Sequence, residues 1–325
     1  MTRPITCVDY HTAGEPFRIV TGGLDEIHGR DVRDRRETAR TSADAEFVRH
    51  LLGHEPRGHA DMYGCFLVPP DDEAAHLGAL FWHKDGYSTA CGHGTIALGA
   101  WAVESGRVDA PRDGSLNVVI DVPSGRVTAR VRIQNGEVRS VAFQNVPSCV
   151  IARNVDAGGF QVDVAYGGAI YASIEAKSLG LRVEPRHLGE LIARGREIKR
   201  ALSDTSVARH PTDDRLSGIY GVIIYDELGT LHQRNVTVFA DGEVDRSPCG
   251  SGTSARCALL QDEGVLKEGD ELRHDSIIGT TFVARIVGKS PEGVLTEVEG
   301  TSYKTADHVF TLDPRDALGT GFVLR

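Results

Sequence analysis

Several familiar signals are missing from this chain of 325 residues. No apolar run reaches the ~18–20 residues that a membrane helix needs, and the first residues contain no apolar signal core. We therefore expect a cytoplasmic protein with no membrane partner. Basic residues are outnumbered, with 36 Lys and Arg against 46 Asp and Glu and a net charge of −10. That balance argues against a nucleic-acid surface, which needs clustered cations.

Paired-cysteine signals and the common nucleophile motifs are also missing. Six cysteines are scattered along the chain: Cys7, Cys65, Cys91, Cys149, Cys249 and Cys257. They form no C-x-x-C pair, so we expect no metal site. A disulfide scaffold is not expected in a large chain without an export signal. The chain contains neither a G-x-S-x-G elbow nor a phosphate-binding loop with its lysine, so these enzyme classes are not indicated.

What the chain does contain is a phrase that occurs twice. Residues 91–95 read Cys-Gly-His-Gly-Thr and residues 249–253 read Cys-Gly-Ser-Gly-Thr. At the same offset of 158 residues, Ala97 matches Ala255 and Phe81 matches Phe239, while Tyr63-Gly64 and Tyr220-Gly221 match with a slip of one residue. The pattern predicts a large duplicated domain rather than a short solenoid repeat.

The duplication and the length predict two half-domains. We place the first at residues 1–150 and the second at 151–309, with a boundary in the loop-rich stretch 146–160. Most segments alternate like β-strands, and Asn135-Gly136 predicts a tight hairpin. Helices are predicted at 44–52, 93–105, 186–202 and 251–263. The second and fourth are rich in small residues, which suits a position enclosed by a sheet. The basic stretch 30–40 is interleaved with acids and is interpreted as a solvated loop or helix face.

Each repeated phrase places a cysteine at the start of a predicted helix. Free N–H groups and the helix dipole lower a thiol pKa there. The following glycines expose N–H groups that can hold a carboxylate. The competing interpretation is an inert buried cysteine, and we adopt it for the other four cysteines. For Cys91 and Cys249 the duplication favours a reactive thiol over an inert one.

The sequence leaves the roles of two neighbours of these thiols open. His93 orients a thiol or binds substrate, or it caps its helix. Asp245 receives a substrate ammonium, pairs with Arg246 or caps a turn. Two thiols that face each other suit proton transfer at a carbon α to a carboxylate, with one thiol removing a proton and the other returning one. They would titrate as a coupled pair.

Five segments of the chain resemble the signatures of one family, the proline racemase family. They are His11–Pro16, Ala90–Thr95, Asp245–Ala255, Ala165–Gly168 and Leu318–Phe322. The resemblance spans essentially the whole chain. It implies an α/β (α+β) fold of the diaminopimelate-epimerase-like kind, with two pseudo-symmetric domains. Each would be a curved, mostly antiparallel sheet around a central helix, and the C-terminal segment of about 310–325 would return to the first domain.

The resemblance also implies roles. Cys91 and Cys249 would be the catalytic thiols, and Asp245 would hold the ring nitrogen. Carboxylate contacts would come from a set at the two helix starts: Gly92, His93, Gly250 and Ser251. His232 is a further candidate for a substrate contact. The enzyme would need no cofactor, pyridoxal phosphate included, and no metal; its partner would be a small imino acid, and a homodimer is left open.

The family carries out two kinds of reaction. Its dehydratases typically have Thr at the second cysteine position, and Cys249 therefore favours a racemase or 2-epimerase that inverts Cα of proline or hydroxyproline. The alternative is a trans-3-hydroxy-L-proline dehydratase, because segments 55–59, 62–64 and 85–88 resemble the branch that contains the dehydratases.

Overall fold

The computed structural model describes residues 3–324. The helices are α1 (Val32–Ala39), α2 (Ala43–Gly53), α3 (Gly92–Glu104), α4 (Leu188–Leu202) and α5 (Gly250–Asp262). The strands are β1 (Ile5–Thr12), β2 (Glu15–Gly22), β3 (Tyr63–Val68), β4 (Leu77–His83), β5 (Gly86–Tyr87), β6 (Gly114–Val122), β7 (Gly125–Gln134), β8 (Glu137–Gln144), β9 (Cys149–Asp156), β10 (Gln161–Tyr166), β11 (Ile170–Glu175), β12 (Ile219–Gly229), β13 (His232–Phe239), β14 (Glu243–Asp245), β15 (Leu272–Ser276), β16 (Thr281–Ser290), β17 (Gly293–Gly300) and β18 (Ser302–Phe310). Among these helices, none is both long and apolar enough to cross a membrane.

The strand pairings repeat in the same order in two halves. In the first half β1 pairs with β2 and β3 with β4, both antiparallel, while β2–β3 and β4–β6 are parallel. In the second half β10–β11 and β12–β13 are antiparallel, and β11–β12 and β13–β15 are parallel. Helix α3 lies between β5 and β6, and α5 lies between β14 and β15. The duplication read from the sequence is therefore a duplication of topology, and the predicted α/β class is confirmed.

Backbone pairing connects the two halves. Antiparallel pairing of β8 with β17 joins them into one continuous sheet. Strand β18 returns to pair with β1 from Ile5 to Thr12, and Phe322 forms a bridge with Glu55. Residues 302–310 therefore already pair with the first strand of the first half. The domain limits at residues 150 and 309 stay a prediction.

The two central helices are enclosed, as their small residues predicted. Every residue of α3 from Gly92 to Ala102 is buried, and so is every residue of α5 from Gly250 to Leu260. A Cβ added at Gly99 would lie 2.6 Å from Ala129 Cβ on the surrounding sheet. Small side chains are required because the sheet curls closely around each helix.

Local predictions succeeded where local chemistry decides. Asn135 and Gly136 both have positive φ and form the two-residue turn between β7 and β8, which confirms the predicted hairpin. Two stretches differ from expectation. The loop-rich boundary contains β9, which pairs with β10. The basic stretch forms α1, whose Val32 is fully buried and whose Arg33 pairs with Asp213 of the second half at 2.7 Å. The position of α1 depends on a distant partner that the local pattern does not reveal, whereas β9 forms a hairpin with the next strand, β10.

Candidate active site

The N-termini of α3 and α5 meet at the centre of the molecule. A Cβ added at Gly92 would lie 2.5 Å from the Cα of Gly250 and 2.7 Å from the backbone nitrogen of Ser251. The reverse substitution at Gly250 would place a Cβ 2.7 Å from the Cα of Gly92. The first glycine of each phrase is therefore required by the contact between the two halves. Two positive helix ends pointing at one place favour an anion such as a carboxylate.

The second glycine of each phrase makes room for a sulfur atom. A Cβ at Gly94 would lie 2.8 Å from Cys91 Sγ, and a Cβ at Gly252 would lie 2.9 Å from Cys249 Sγ. Both thiols thus lie over the first turn of their own helices. The phrase C-G-x-G follows from these two close approaches, one between the helices and one between each helix and its thiol.

Cys91 caps helix α3 with its side chain. Its Sγ accepts a hydrogen bond from the Gly94 N–H at 3.2 Å. The ring nitrogens of His93 lie 3.4 and 3.5 Å from the same sulfur, and Tyr63 acts to lower the pKa of the thiol. Only 4% of Cys91 is exposed, so the thiol is almost fully shielded from solvent.

Cys249 has a strained backbone. Its φ of +62° lies in the left-handed region, which residues with a side chain seldom adopt. The carbonyl of Pro248 accepts hydrogen bonds from Asn235 Nδ2 at 3.0 Å and from Thr253 Oγ1 at 3.1 Å, which holds this conformation. The Sγ lies 3.8 Å from the Tyr171 hydroxyl. Backbone strain at a buried thiol is typical of a functional position.

The thiol pKa values differ in direction from the sequence-based expectation. Burial raises the pKa of Cys91 well above its usual range, and Asp245 and Cys249 raise it further, while the Gly94 N–H lowers it only in part. Burial and then Asp245 also raise the pKa of Cys249. The lowering expected at a helix start was wrong for these buried thiols because desolvation outweighs the helix dipole. A substrate ammonium beside Asp245 would remove one of the causes.

His93 and Asp245 form a contact between the halves. His93 Nδ1 lies 3.6 Å from Asp245 Oδ2. Asp245 Oδ1 accepts from both the backbone N–H and the hydroxyl of Ser247, at 2.8 and 2.7 Å. Burial acts to raise the pKa of Asp245, but the hydrogen bonds from His93 and Ser247 lower it overall. Asp245 is therefore a buried carboxylate that keeps its charge, which suits a substrate ammonium.

Arg246 does not pair with Asp245, one of the alternatives left open above. Its side chain binds Glu15 Oε2 at 2.8 Å and Asp61 Oδ2 at 3.2 Å, and its N–H donates to Glu15 at 2.7 Å. Glu15 is fully buried in the first half. Burial raises the pKa of Glu15, and Arg246 opposes that rise. Arg246 therefore ties the loop that presents Cys249 to the first half.

Hydroxyl side chains line the site in two groups, and all of them except Ser251 were missed by the sequence analysis. The Tyr63 hydroxyl binds Ser88 Oγ and lies 2.9 Å from the Tyr220 hydroxyl. On the Cys249 side, the Tyr171 hydroxyl lies 2.7 Å from Ser251 Oγ. The match of Tyr63-Gly64 with Tyr220-Gly221 in the repeat was the signal that could have identified two of these tyrosines.

His232 does not join the other predicted site residues. It starts β13, and its Nε2 lies 2.7 Å from Asp275 Oδ2. Thr237, which acts to lower the pKa of the Cys249 thiol, lies five residues further along the same strand. A strand rises about 3.3 Å per residue, so the backbones of His232 and Thr237 are roughly 16 Å apart. The other predicted residues all lie at the meeting point of the helices.

One cluster has ligand types that suit a metal ion. Single ligand atoms of His83, Asp85 and Glu243 lie within 4.8 Å of one another. The Lys84 ammonium lies 2.9 Å from Asp85 Oδ2 and 3.7 Å from Glu243 Oε1. The positive charge of Lys84 thus already lies beside both carboxylates, which disfavours the binding of a second cation there.

The arrangement supports acid–base chemistry on a small zwitterion. Two helix N-termini offer N–H groups to a carboxylate, and Asp245 offers a charge to an ammonium. The carbon between these two groups in an α-amino or imino acid would lie beside the thiols. Removal of its proton by a thiolate is the step that this geometry can perform.

Known proteins with related sequences include enzymes that act on hydroxyproline. The family model described as proline racemase matches residues 7–323. A protein of Bacillus thuringiensis subsp. konkukian named trans-3-hydroxy-L-proline dehydratase is 41% identical, covering 100% of this chain and 99% of its own length. A trans-L-3-hydroxyproline dehydratase of Xenopus tropicalis is 37% identical, covering 99% and 95%.

Two solved structures have the same fold. A probable proline racemase from Agrobacterium radiobacter with bound carbonate superposes with a TM-score of 0.93 at 27% identity, covering 98% of this chain and 96% of that one. A hydroxyproline epimerase from Agrobacterium vitis with bound trans-4-hydroxy-L-proline gives 0.91 at 30% identity, covering 99% and 96%. These matches confirm the diaminopimelate-epimerase-like fold. The chain belongs to the proline racemase family.

Proposed function

We propose that this enzyme removes water from trans-3-hydroxy-L-proline. The observation that carries the proposal is the end-to-end similarity, at 41% identity, to relatives with that name in Bacillus. This identity is higher than the 27–30% identity to the racemase and epimerase structures, and it therefore counts for more in the choice of reaction. The sequence analysis favoured inversion on the strength of Cys249, and the relatives favour its alternative.

The site residues take the following roles in this proposal. Asp245 holds the ring nitrogen, and the N–H groups at Gly92, His93, Gly250 and Ser251 hold the carboxylate. Cys91, as a thiolate, removes the Cα proton. The electron pair of that C–H bond forms a double bond to C3, and the C3–O bond breaks. The oxygen leaves as water after it takes up a proton, and the enamine rearranges to Δ1-pyrroline-2-carboxylate.

Inversion at Cα is the second candidate, and one observation favours it. A second buried thiol, Cys249, lies at the start of the opposite helix, where it would return a proton to the other face of the carbon. This reaction shares the first step, the removal of the Cα proton. The two candidates separate after that step, according to whether C3 carries a hydroxyl that leaves.

A substrate panel in heavy water tests the proposal. The protein is incubated separately with trans-3-hydroxy-L-proline, trans-4-hydroxy-L-proline and L-proline, and the products are followed by proton NMR. We expect Δ1-pyrroline-2-carboxylate from the 3-hydroxy substrate. Formation of α-deuterated, inverted product from the other two substrates, with no loss of water from the first, would replace dehydration by inversion. No reaction with any of them would refute both.

A further inference from the structure

Three hydroxyl groups meet beside Cys91, and the roles described so far do not use them. The Tyr63 hydroxyl is the common partner, since it hydrogen bonds with Ser88 Oγ and with the Tyr220 hydroxyl, and it acts to lower the pKa of the Cys91 thiol. Tyr63 and Ser88 are almost fully buried. The Tyr63 ring also packs edge-on against the His93 ring, with centroids 4.9 Å apart. The group is therefore fixed in position next to the thiol.

We propose that Tyr63 donates the proton that the departing C3 hydroxyl needs, and that Ser88 and Tyr220 hold the Tyr63 hydroxyl in place. This inference rests on the proposed dehydration and extends it. It makes Tyr63 a catalytic residue for the elimination step only. It also makes the hydroxyl group at this position the feature that selects ring-hydroxylated prolines.

The stereochemistry of the substrate supports this assignment. In trans-3-hydroxy-L-proline the C3 hydroxyl lies on the ring face opposite to the carboxylate. The Cα hydrogen lies on that same face, because it too is opposite to the carboxylate. The base and the proton donor must therefore approach from one side of the ring. Cys91 and Tyr63 satisfy that requirement because both lie against the His93 ring: Cys91 Sγ is 3.4 Å from His93 Nε2, and the Tyr63 ring packs edge-on against the same ring.

The protonation states fit a donor. Burial raises the pKa of Tyr63 well above its usual range, and Tyr220 and Cys91 raise it further. The phenol therefore stays protonated at neutral pH. Its neighbour Tyr220 is kept protonated for the same first reason, burial. A buried donor that is already aligned with a leaving oxygen stabilises the charge that develops on that oxygen.

The protons balance without any further reactant. The Cα proton moves to the Cys91 sulfur, and the departing oxygen takes a proton from the Tyr63 hydroxyl and leaves as water. The thiol proton then passes to the neighbouring Tyr63 phenolate. Cys91 is returned as a thiolate and Tyr63 as a phenol, so the next turnover can begin.

The cluster also bears on substrate choice. A site with buried hydroxyl groups discriminates against an analogue that lacks the matching hydroxyl, because the protein groups lose their partner. The methylene groups of proline itself would face the Tyr63 hydroxyl and gain nothing from it. We therefore expect the 3-hydroxy substrate to be preferred over L-proline in kcat/KM.

The test is Tyr63→Phe, assayed with trans-3-hydroxy-L-proline in heavy water. Two rates are measured in one NMR time course: water loss, and deuterium entry at Cα of the remaining substrate. Loss of a proton donor typically slows a reaction by about 10²–10⁴-fold. We expect water loss to fall at least about 100-fold while deuterium entry continues, because proton removal by Cys91 no longer leads to elimination.

Tyr10→Phe is the matched control. Tyr10 is an equally buried tyrosine whose hydroxyl binds Glu104 Oε2 at 2.6 Å at the far end of α3. It loses one hydroxyl and one hydrogen bond without touching the site, so the ratio of water loss to deuterium entry should equal that of the unaltered enzyme. Ser88→Ala provides a milder second variant, in which the ratio should fall about tenfold, less than the ~10²–10⁴-fold expected when the proton donor itself is lost.

Each outcome decides the matter. An equal fall of both rates in Tyr63→Phe would mean that the phenol serves only the thiol, and would overturn the inference. Unchanged rates would overturn it as well. Absence of water loss in the unaltered enzyme would instead refute the proposed function, before any variant is considered. Continued deuterium entry with lost elimination supports both.

Discussion

The contact between the two glycines makes a quantitative prediction. A methyl group at Gly92 would lie 2.5 Å from the Cα of Gly250, whereas carbon atoms pack at about 3.5–4.0 Å. The neighbour is backbone and cannot rotate away, so Gly92→Ala must separate the two helix ends by about 1 Å. A displacement of that size costs roughly 10²-fold in rate when it misplaces reacting groups.

We therefore expect Gly92→Ala to lower kcat/KM about 100-fold, with a loss of stability of about 1–3 kcal/mol from overpacking. Gly250→Ala should be milder, because its closest approach is 2.7 Å. Steady-state kinetics and thermal unfolding are the assays. Gly189→Ala is the control: this exposed glycine of α4 has open space where a Cβ would be, so the change should leave activity unaltered and add about 0.4–1 kcal/mol of stability. A Gly92→Ala enzyme with normal kinetics and melting temperature would refute the helix contact.

Three further predictions concern charge. Arg246→Gln should cost about 3–5 kcal/mol at pH 7, because it removes the guanidinium that neutralises the buried Glu15 carboxylate. Denaturation should show a smaller cost at pH 5, because burial raises the pKa of Glu15 and favours its uptake of a proton. Burial lowers the pKa of His274 to about 3, so as the pH drops from about 6.5 the unfolded chain binds a proton before the folded chain does, and the free energy of unfolding should fall. His274→Gln should flatten that decline in acid titrations, and an unchanged slope would contradict the prediction. Alkylation of Cys91 by iodoacetamide, read by mass spectrometry, should rise only at alkaline pH, and Asp245→Asn should move the rise to lower pH by removing a negative charge.

The sequence predicted the structure best where an element depends on residues close together in the chain. The hairpin at Asn135-Gly136 depends on local turn chemistry, and the two helices that follow the cysteines were predicted from a repeated motif. The structure contains the hairpin and both helices. Helix α1 was interpreted as solvated because its partners, such as Asp213, lie far away in sequence. Strand β9 was expected to be a linker for a different reason, because the loop-rich stretch 146–160 also contains the turn that joins β9 to the next strand, β10.

The candidate site shows the same limit. The motifs identified the glycines, His93 and Asp245, which the structure brings together, and the family resemblance added His232, which it does not. The sign of the thiol pKa shift could not be read from a helix start, because it depends on burial from both halves. The tyrosines carry no local motif, and Tyr63 and Tyr220 meet only because equivalent strands of the two halves face each other.

The central claim is that Cys91 removes the Cα proton of a 3-hydroxyproline and that Cys249 is not needed for water loss. Its most direct test is the initial rate of Δ1-pyrroline-2-carboxylate formation by Cys91→Ser and Cys249→Thr, measured by NMR with trans-3-hydroxy-L-proline. We expect Cys91→Ser to be inactive and Cys249→Thr to keep eliminating water. A Cys249→Thr enzyme as inactive as Cys91→Ser would contradict it and point to two-thiol inversion instead.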